Sequence, residues 1–135
     1  MSDTIYNGAG LSATSSVLLV DDEVDILPEY QELLEMAGVD ALTEADSGAA
    51  VGRVLQDPNI VVVVTDLKMG RMHGADLIKT LRNQMPAGRK IEFIVLTGDA
   101  TSDPVAQELA VPILLKPVDA DTLISTVQKA LAETQ

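Results

Sequence analysis

Carboxylate side chains end two apolar runs of the sequence. Asp21 and Asp22 follow the run Val-Leu-Leu-Val at residues 17–20, and Asp66 follows the run Val-Val-Val-Val-Thr at residues 61–65. Short β-branched runs are typical of buried parallel strands, and open α/β sheets bind ligands at the carboxyl ends of such strands. Three carboxylates gathered there would repel one another, and a hard cation with oxygen ligands, above all Mg²⁺, relieves that repulsion. The pattern therefore predicts a metal-assisted phosphoryl site.

Two other predicted strands are followed directly by residues that suit the same chemistry, Thr97 and Lys116. A carboxylate can attack a phosphoryl group as a nucleophile and form an acyl phosphate. Mg²⁺ neutralises the charge that develops in this reaction, while a lysine ammonium and a hydroxyl can bind the remaining phosphoryl oxygens. The sequence thus supplies a candidate residue for each part of the reaction.

The elements that position these residues alternate between strand and helix. Pro28 in the first turn and Gly38 at the end mark the first helix, and Asp119 can cap the last helix. This alternation is typical of a parallel sheet covered on both faces, and it predicts one α/β domain over residues 16–133 after a flexible arm, residues 1–15. The predicted strands are Val17–Asp21, Val39–Ala45, Ile60–Thr65, Ile91–Leu96 and Pro112–Leu115. Helices are predicted after each strand, including Ser47–Gln56, one beginning at Gly74, and Thr101–Ala110.

Composition excludes several classes of function. The chain has 135 residues and a formal net charge of −12, which argues against direct binding of nucleic acid because phosphate neutralisation needs a basic face. It has no cysteine, so disulfides and thiolate chemistry are excluded. No apolar stretch approaches the roughly 20 residues of a membrane span, and the first sixteen residues do not resemble a signal peptide. We therefore expect a cytoplasmic protein with no membrane insertion.

Taken together, the motifs resemble the receiver domain of two-component response regulators. The similarity runs from about Val17 to Leu131. It includes Leu18-Leu19-Val20-Asp21-Asp22-Glu23, Thr65-Asp66-Leu67-Lys68-Met69, Gly74, Val95-Leu96-Thr97-Gly98 and Leu115-Lys116-Pro117. The resemblance implies a doubly wound, flavodoxin-like (CheY-like) fold with a five-stranded parallel sheet in the order 2-1-3-4-5 and five helices.

The resemblance also implies a role for each site residue. Asp66 would accept a phosphoryl group from a histidine of a sensor histidine kinase or a histidine phosphotransfer protein. Asp22, Asp66 and the backbone carbonyl of Lys68 would bind Mg²⁺ directly, and Asp21 would act mainly through a metal-bound water. Thr97 and Lys116 would bind the phosphoryl oxygens, and the Lys116–Pro117 peptide would be cis. The chain would then be a phosphorelay switch for a downstream protein target, with slow autodephosphorylation at most.

Four positions bear on how such a switch would work. Ile113 stands where the family often has an aromatic residue that couples phosphorylation to output, so a conventional switch is in question. Gly70 replaces a common proline, which predicts a more adaptable loop. Lys68 and Asp99 lie two residues beyond Asp66 and Thr97, where the family tunes access of the hydrolytic water. The sole histidine, His73, is interpreted as an ordinary loop residue.

Other interpretations remain open at this point. A pseudo-receiver that binds partners without phosphorylation is compatible with Ile113. A phosphatase of the haloacid dehalogenase type also uses a strand-end aspartate, although Asp21-Asp22-Glu23 lacks the Asp-x-Asp pattern of that class. Dimerisation on phosphorylation is compatible with the fold. The sequence identifies neither the cognate kinase nor the output partner, and it fits both a stand-alone regulator and a part of a hybrid kinase or longer regulator.

Overall fold

The sheet has the predicted architecture. The structure is a computed structural model, and it describes residues 16–70, 72–98 and 107–134. Five parallel strands lie in the order β2-β1-β3-β4-β5. Their bounds are β1 Ser16–Val20, β2 Asp40–Glu44, β3 Ile60–Asp66, β4 Glu92–Thr97 and β5 Ile113–Leu115. The doubly wound fold and the strand order 2-1-3-4-5 are therefore confirmed.

Four helices connect and cover the strands in the described part of the chain. They are α1 Leu27–Met36, α2 Ser47–Gln56, α3 Gly74–Gln84 and α4 Ala120–Glu133. The helix predicted at Thr101–Ala110 lies mostly outside the described residues. Of its described part, residues 107–110, Gln107 and Glu108 are helical. The predicted N-terminal arm, residues 1–15, also lies outside them. Within the three described ranges, no helix is both long and apolar enough to cross a membrane.

Alternation along the strands divides the core between the two faces of the sheet. In β1, Val17 and Leu19 pack toward α1 and α4, whereas Leu18 and Val20 pack toward α2 and α3. The central strand β3 is buried on both sides, since five of its residues are apolar and it lies between β1 and β4. Both layers thus hold the central strands rigidly, and the residues at their carboxyl ends take fixed positions.

Local signals account for three of the helix ends in the described ranges. Asp46 caps α2 by accepting from the Ala49 N–H at 3.0 Å, and Asp119 caps α4 by accepting from the Thr122 N–H at 3.1 Å. Gly38 ends α1 with a positive φ of 83°, a conformation that costs glycine little. These caps fix where α2 and α4 begin and where α1 ends, and therefore where the adjoining loops lie.

Candidate functional site

Three strand ends meet at one edge of the sheet. Val20 of β1 is in register with Thr65 of the neighbouring strand β3. Asp21, directly after β1, and Asp66, the last residue of β3, therefore lie side by side. Lys116 comes directly after β5, two strands from β3, and its long side chain reaches back across β4. Its Nζ lies 2.9 Å from Asp21 Oδ2 and 3.2 Å from Asp66 Oδ1. The ammonium group therefore bridges the two carboxylates.

Asp22 completes an acidic cluster with Asp21 and Asp66. One carboxylate oxygen from each residue can be chosen so that all three oxygens lie within 4.8 Å of one another. Two backbone groups orient the carboxylates: the Glu23 N–H donates to Asp21 Oδ1 at 2.9 Å, and the Gly70 N–H donates to Asp22 Oδ2 at 3.0 Å. Asp21 is buried, whereas Asp22 is exposed. The cluster is therefore rigid at its base and open to solvent at its rim.

The donor set of the acidic cluster fits Mg²⁺. Its ligands are hard carboxylate oxygens, the type that Mg²⁺ prefers, and they converge on one small region. Three carboxylates face one ammonium group, which leaves an excess of negative charge that a divalent cation would neutralise. Asp21, Asp22 and Asp66 could therefore hold a metal ion.

Burial and neighbouring charges shift the pKa values of Asp66 and Lys116. Burial raises the pKa of Asp66, the Asp21 carboxylate raises it further, and Lys116 only partly opposes them. For Lys116, burial acts to lower the pKa, but the hydrogen bond to Asp21 and the charges of Asp66 and Asp21 together outweigh it and raise the pKa. Lys116 is therefore protonated at neutral pH, and the charged form of Asp66 would be favoured by an additional positive charge nearby.

A small cavity opens beside Asp66. It has a volume of about 110 Å³ and is lined by Asp66, Lys68, Thr97 and Gly98. This volume would hold a few water molecules. Thr97 is buried at the end of β4, and its carbonyl oxygen accepts a hydrogen bond of 2.7 Å from the Lys116 N–H. Asp66, its side chain 13% exposed, is thus accessible to a small group from this side.

Close packing fixes the backbone of Asp66. The N–H of Gly74, the first residue of α3, donates to the Leu67 carbonyl at 2.8 Å. A Cβ atom at residue 74 would lie 2.4 Å from the Asp66 carbonyl oxygen. Only glycine allows the backbone at residue 74 to lie this close to the Asp66 backbone, so the start of α3 fixes the position of Asp66.

The remaining predicted site residues lie around the cavity and in or after β5, apart from one outside the described residues. Lys68 is exposed at the cavity, and Asp99 lies outside the described residues. Ile113 is half-buried in β5 and packs against the core cluster on the α2 and α3 side of the sheet. The peptide bond between Lys116 and Pro117 is cis.

Sequence reasoning missed two contacts of the loop between β3 and α3. The Gly70 N–H binds Asp22, a hydrogen bond that the proline common at this position could not donate. The Met69 N–H donates to His73 Nδ1 at 3.2 Å. The first contact had a signal in the sequence, because a glycine in place of proline restores a donor. The second had none, because the contact depends on the path of the loop.

Comparisons with known proteins agree with the observed fold. The sequence model described as the response regulator receiver domain matches residues 17–128. The two-component response regulator PprB of Pseudomonas aeruginosa is 36% identical over 96 residues, which are 71% of this chain and 35% of that protein. The transcriptional regulatory protein GlrR of Escherichia coli is 33% identical over 121 residues, which are 87% of this chain and 26% of that protein. The chain thus spans about a quarter to a third of the length of these relatives.

Solved structures are similar over nearly their whole length. A response regulator receiver domain protein from Clostridium thermocellum superposes with a TM-score of 0.77 at 30% identity, covering 88% of this chain and 95% of that chain. The chemotaxis protein CheY4 of Vibrio cholerae gives a TM-score of 0.75 at 28% identity, covering 86% and 98%. With its sheet order, its strand-end carboxylates and its matched residues, the chain belongs to the family of response regulator receiver domains.

Proposed function

We propose that this receiver domain accepts a phosphoryl group on Asp66 and thereby switches the binding of a downstream protein in a phosphorelay. The observation that carries the proposal is the bridge from the Lys116 ammonium to both Asp21 and Asp66, at the open edge of an acidic cluster. A carboxylate that is partly exposed, close to a fixed cation and adjacent to a potential Mg²⁺ site is suited to attack phosphorus.

The phosphoryl donor in this proposal is a phosphohistidine of a sensor histidine kinase or a histidine phosphotransfer protein. A carboxylate oxygen of Asp66 forms a bond to phosphorus while the bond from phosphorus to the donor imidazole nitrogen breaks, and the imidazole leaves with the electron pair of that bond. The product is an acyl phosphate. The cavity beside Asp66, lined also by Lys68, Thr97 and Gly98, is where the transferred group would enter.

Asp21, Asp22, Asp66 and the Lys68 carbonyl are the proposed Mg²⁺ ligands, with Asp21 acting mainly through a metal-bound water. When bound, the ion would neutralise the charge on the phosphoryl oxygens in the transition state. Gly70 keeps Asp22 oriented through its N–H, and Lys116 holds Asp21 and Asp66 at a fixed separation. The chain thereby prearranges the carboxylates before any cation or phosphoryl group arrives.

The switch would act through differential contacts in two states of the domain. Phosphorylation adds negative charge and acceptor oxygens beside Lys116 and Thr97. The Lys116 N–H already donates to the Thr97 carbonyl between the ends of β5 and β4, so a backbone shift at one residue would move the other. Ile113 has no polar group, which means that its contribution to output is limited to packing against the core.

Several finer properties belong to the same proposal. Autodephosphorylation would be slow, with Lys68 and Asp99 tuning access of water to the acyl phosphate. Dimerisation on phosphorylation and a cytoplasmic location remain predictions. So does the absence of direct nucleic-acid binding, for which the net charge of −12 is the support.

The proposal is tested by intact-mass spectrometry after incubation with acetyl phosphate and Mg²⁺. Wild type should gain one phosphoryl mass, and Asp66→Asn should gain none. Asp76→Asn is the matched control, because Asp76 is an exposed aspartate in the first turn of α3 outside the acidic cluster. An equal adduct in Asp66→Asn would contradict the assignment of the acceptor. No adduct in any of the three would favour the phosphorylation-independent pseudo-receiver, and steady turnover of a small phosphate ester would favour the phosphatase.

A further inference from the structure

The side chain of His73 contacts the loop before it and not the helix that follows it. His73 immediately precedes α3 with extended backbone angles (φ −71°, ψ 161°), and its side chain makes no capping hydrogen bond within the described residues. Residues at this position usually cap the helix with a side-chain oxygen. Here the Met69 N–H donates to His73 Nδ1 at 3.2 Å. The ring is therefore held against the loop that borders the acidic cluster.

The peptide group that donates to His73 also carries the Lys68 carbonyl oxygen, a proposed Mg²⁺ ligand. In a trans peptide the N–H and the C=O point in opposite directions. The cis peptide found among the described residues is Lys116–Pro117, so the peptide between Lys68 and Met69 is trans. When His73 holds the N–H on one side, it also fixes the direction of the carbonyl on the other side.

Neighbouring contacts hold the loop on either side of this N–H, at the Met69 side chain and at the next peptide. The Met69 side chain is buried, only 5% exposed, and belongs to the core cluster beside α3. The Gly70 N–H donates to Asp22 Oδ2. These contacts fix the two ends of the segment, whereas rotation of the plane between residues 68 and 69 is limited by the hydrogen bond to His73.

We propose that His73 is a positioning residue of the Mg²⁺ site. Its Nδ1 accepts from the Met69 N–H and so directs the Lys68 carbonyl toward the cation. The inference rests on the proposed function, because it concerns the Mg²⁺ that phosphoryl transfer would use. Groups that orient metal ligands from outside the coordination shell commonly change metal affinity by about 10- to 100-fold when they are removed.

The test measures Mg²⁺ affinity in wild type, His73→Ala and His73→Asn by calorimetric titration with Mg²⁺ alone at neutral pH. Alanine removes the acceptor. Asparagine retains one, because its Oδ1 is bonded to Cγ as Nδ1 is in histidine. We expect His73→Ala to bind Mg²⁺ about tenfold more weakly than wild type, and His73→Asn to stay within about twofold of wild type. Urea unfolding of all three proteins in EDTA separates an effect on affinity from an effect on folding.

Three outcomes would overturn the inference. His73→Ala with wild-type Mg²⁺ affinity would show that the hydrogen bond does not matter to the site, even if the variant unfolds at lower urea. Failure of His73→Asn to recover affinity, with normal unfolding in EDTA, would show that the acceptor atom is not what acts. A wild-type chain that binds no Mg²⁺ would overturn the proposed metal site itself, and the inference with it.

Discussion

Replacing Gly74 with alanine is expected to destabilise the fold and to displace the proposed phospho-acceptor at the same time. The new Cβ would lie 2.4 Å from the Asp66 carbonyl oxygen, whereas ordinary contacts begin near 3.4 Å, so the backbone must shift by about 1 Å. Overpacking of this kind costs about 1 to 3 kcal/mol. The hydrogen bond from the Gly74 N–H to the Leu67 carbonyl would be weakened as well, at a cost of about 1 kcal/mol. We therefore expect a total loss of about 2 to 4 kcal/mol.

Gly52→Ala is the matched control for this substitution. Gly52 lies inside α2, a Cβ there would have no atom within 4 Å, and its φ is not positive. Alanine should therefore stabilise the helix by about 0.5 to 1 kcal/mol. Urea unfolding of both variants in EDTA, followed by Mg²⁺ titration, gives the comparison. A Gly74→Ala protein within about 0.5 kcal/mol of wild type, with unchanged Mg²⁺ affinity, would refute the argument from close approach.

Three other substitutions have defined outcomes. Without Mg²⁺, Asp66→Asn should unfold at higher urea than wild type at neutral pH. Burial raises the folded-state pKa of Asp66, so the stability from this carboxyl is present below its unfolded pKa and is lost as pH rises through the folded pKa. Below pH 3.8, the two proteins should converge. Asp119→Ala should destabilise the chain at neutral pH but not in acid. The hydrogen bond with Thr122 lowers the folded-state pKa of Asp119, so the stability from this cap is lost as pH falls through the folded-state pKa. Equal losses of stability at both pH values would argue against the cap. Arg82→Ala should lower the stability of the fold by about 1 to 2 kcal/mol, because it removes a contact with the Phe93 ring at 5.5 Å and a hydrogen bond to the Leu109 carbonyl. Full recovery of stability by Arg82→Lys would show that charge alone matters.

The parallel sheet and its two faces follow from patterns within the sequence, whereas the strand order came from the resemblance to receiver domains. The apolar run before Asp66 predicts a central strand, and alternating residues such as Val17 and Leu18 do pack on opposite faces. Strand ends were predicted less well. The predicted first strand ends at Asp21, but β1 ends at Val20, because the Asp21 carboxylate accepts from the Glu23 N–H and turns the chain.

The candidate site was predictable where strands carry it and not where loops do. Asp21, Asp66 and Lys116 meet because parallel strands end at one edge of the sheet. The contacts of Gly70 and His73 depend on the path of the loop after β3, which tertiary packing determines. No local pattern in the sequence specifies such a path, so these contacts appear only in the folded chain.

The most direct test of the central claim is to locate the phosphorylated residue chemically. After incubation with acetyl phosphate and Mg²⁺, borohydride reduces an acyl phosphate of aspartate to homoserine, and tandem mass spectrometry of peptides identifies the position. Homoserine at residue 66, and at no other aspartate, is the predicted result. Homoserine at Asp22 or elsewhere, or none at all in a chain that binds Mg²⁺, would contradict the assignment of Asp66 as the phospho-acceptor.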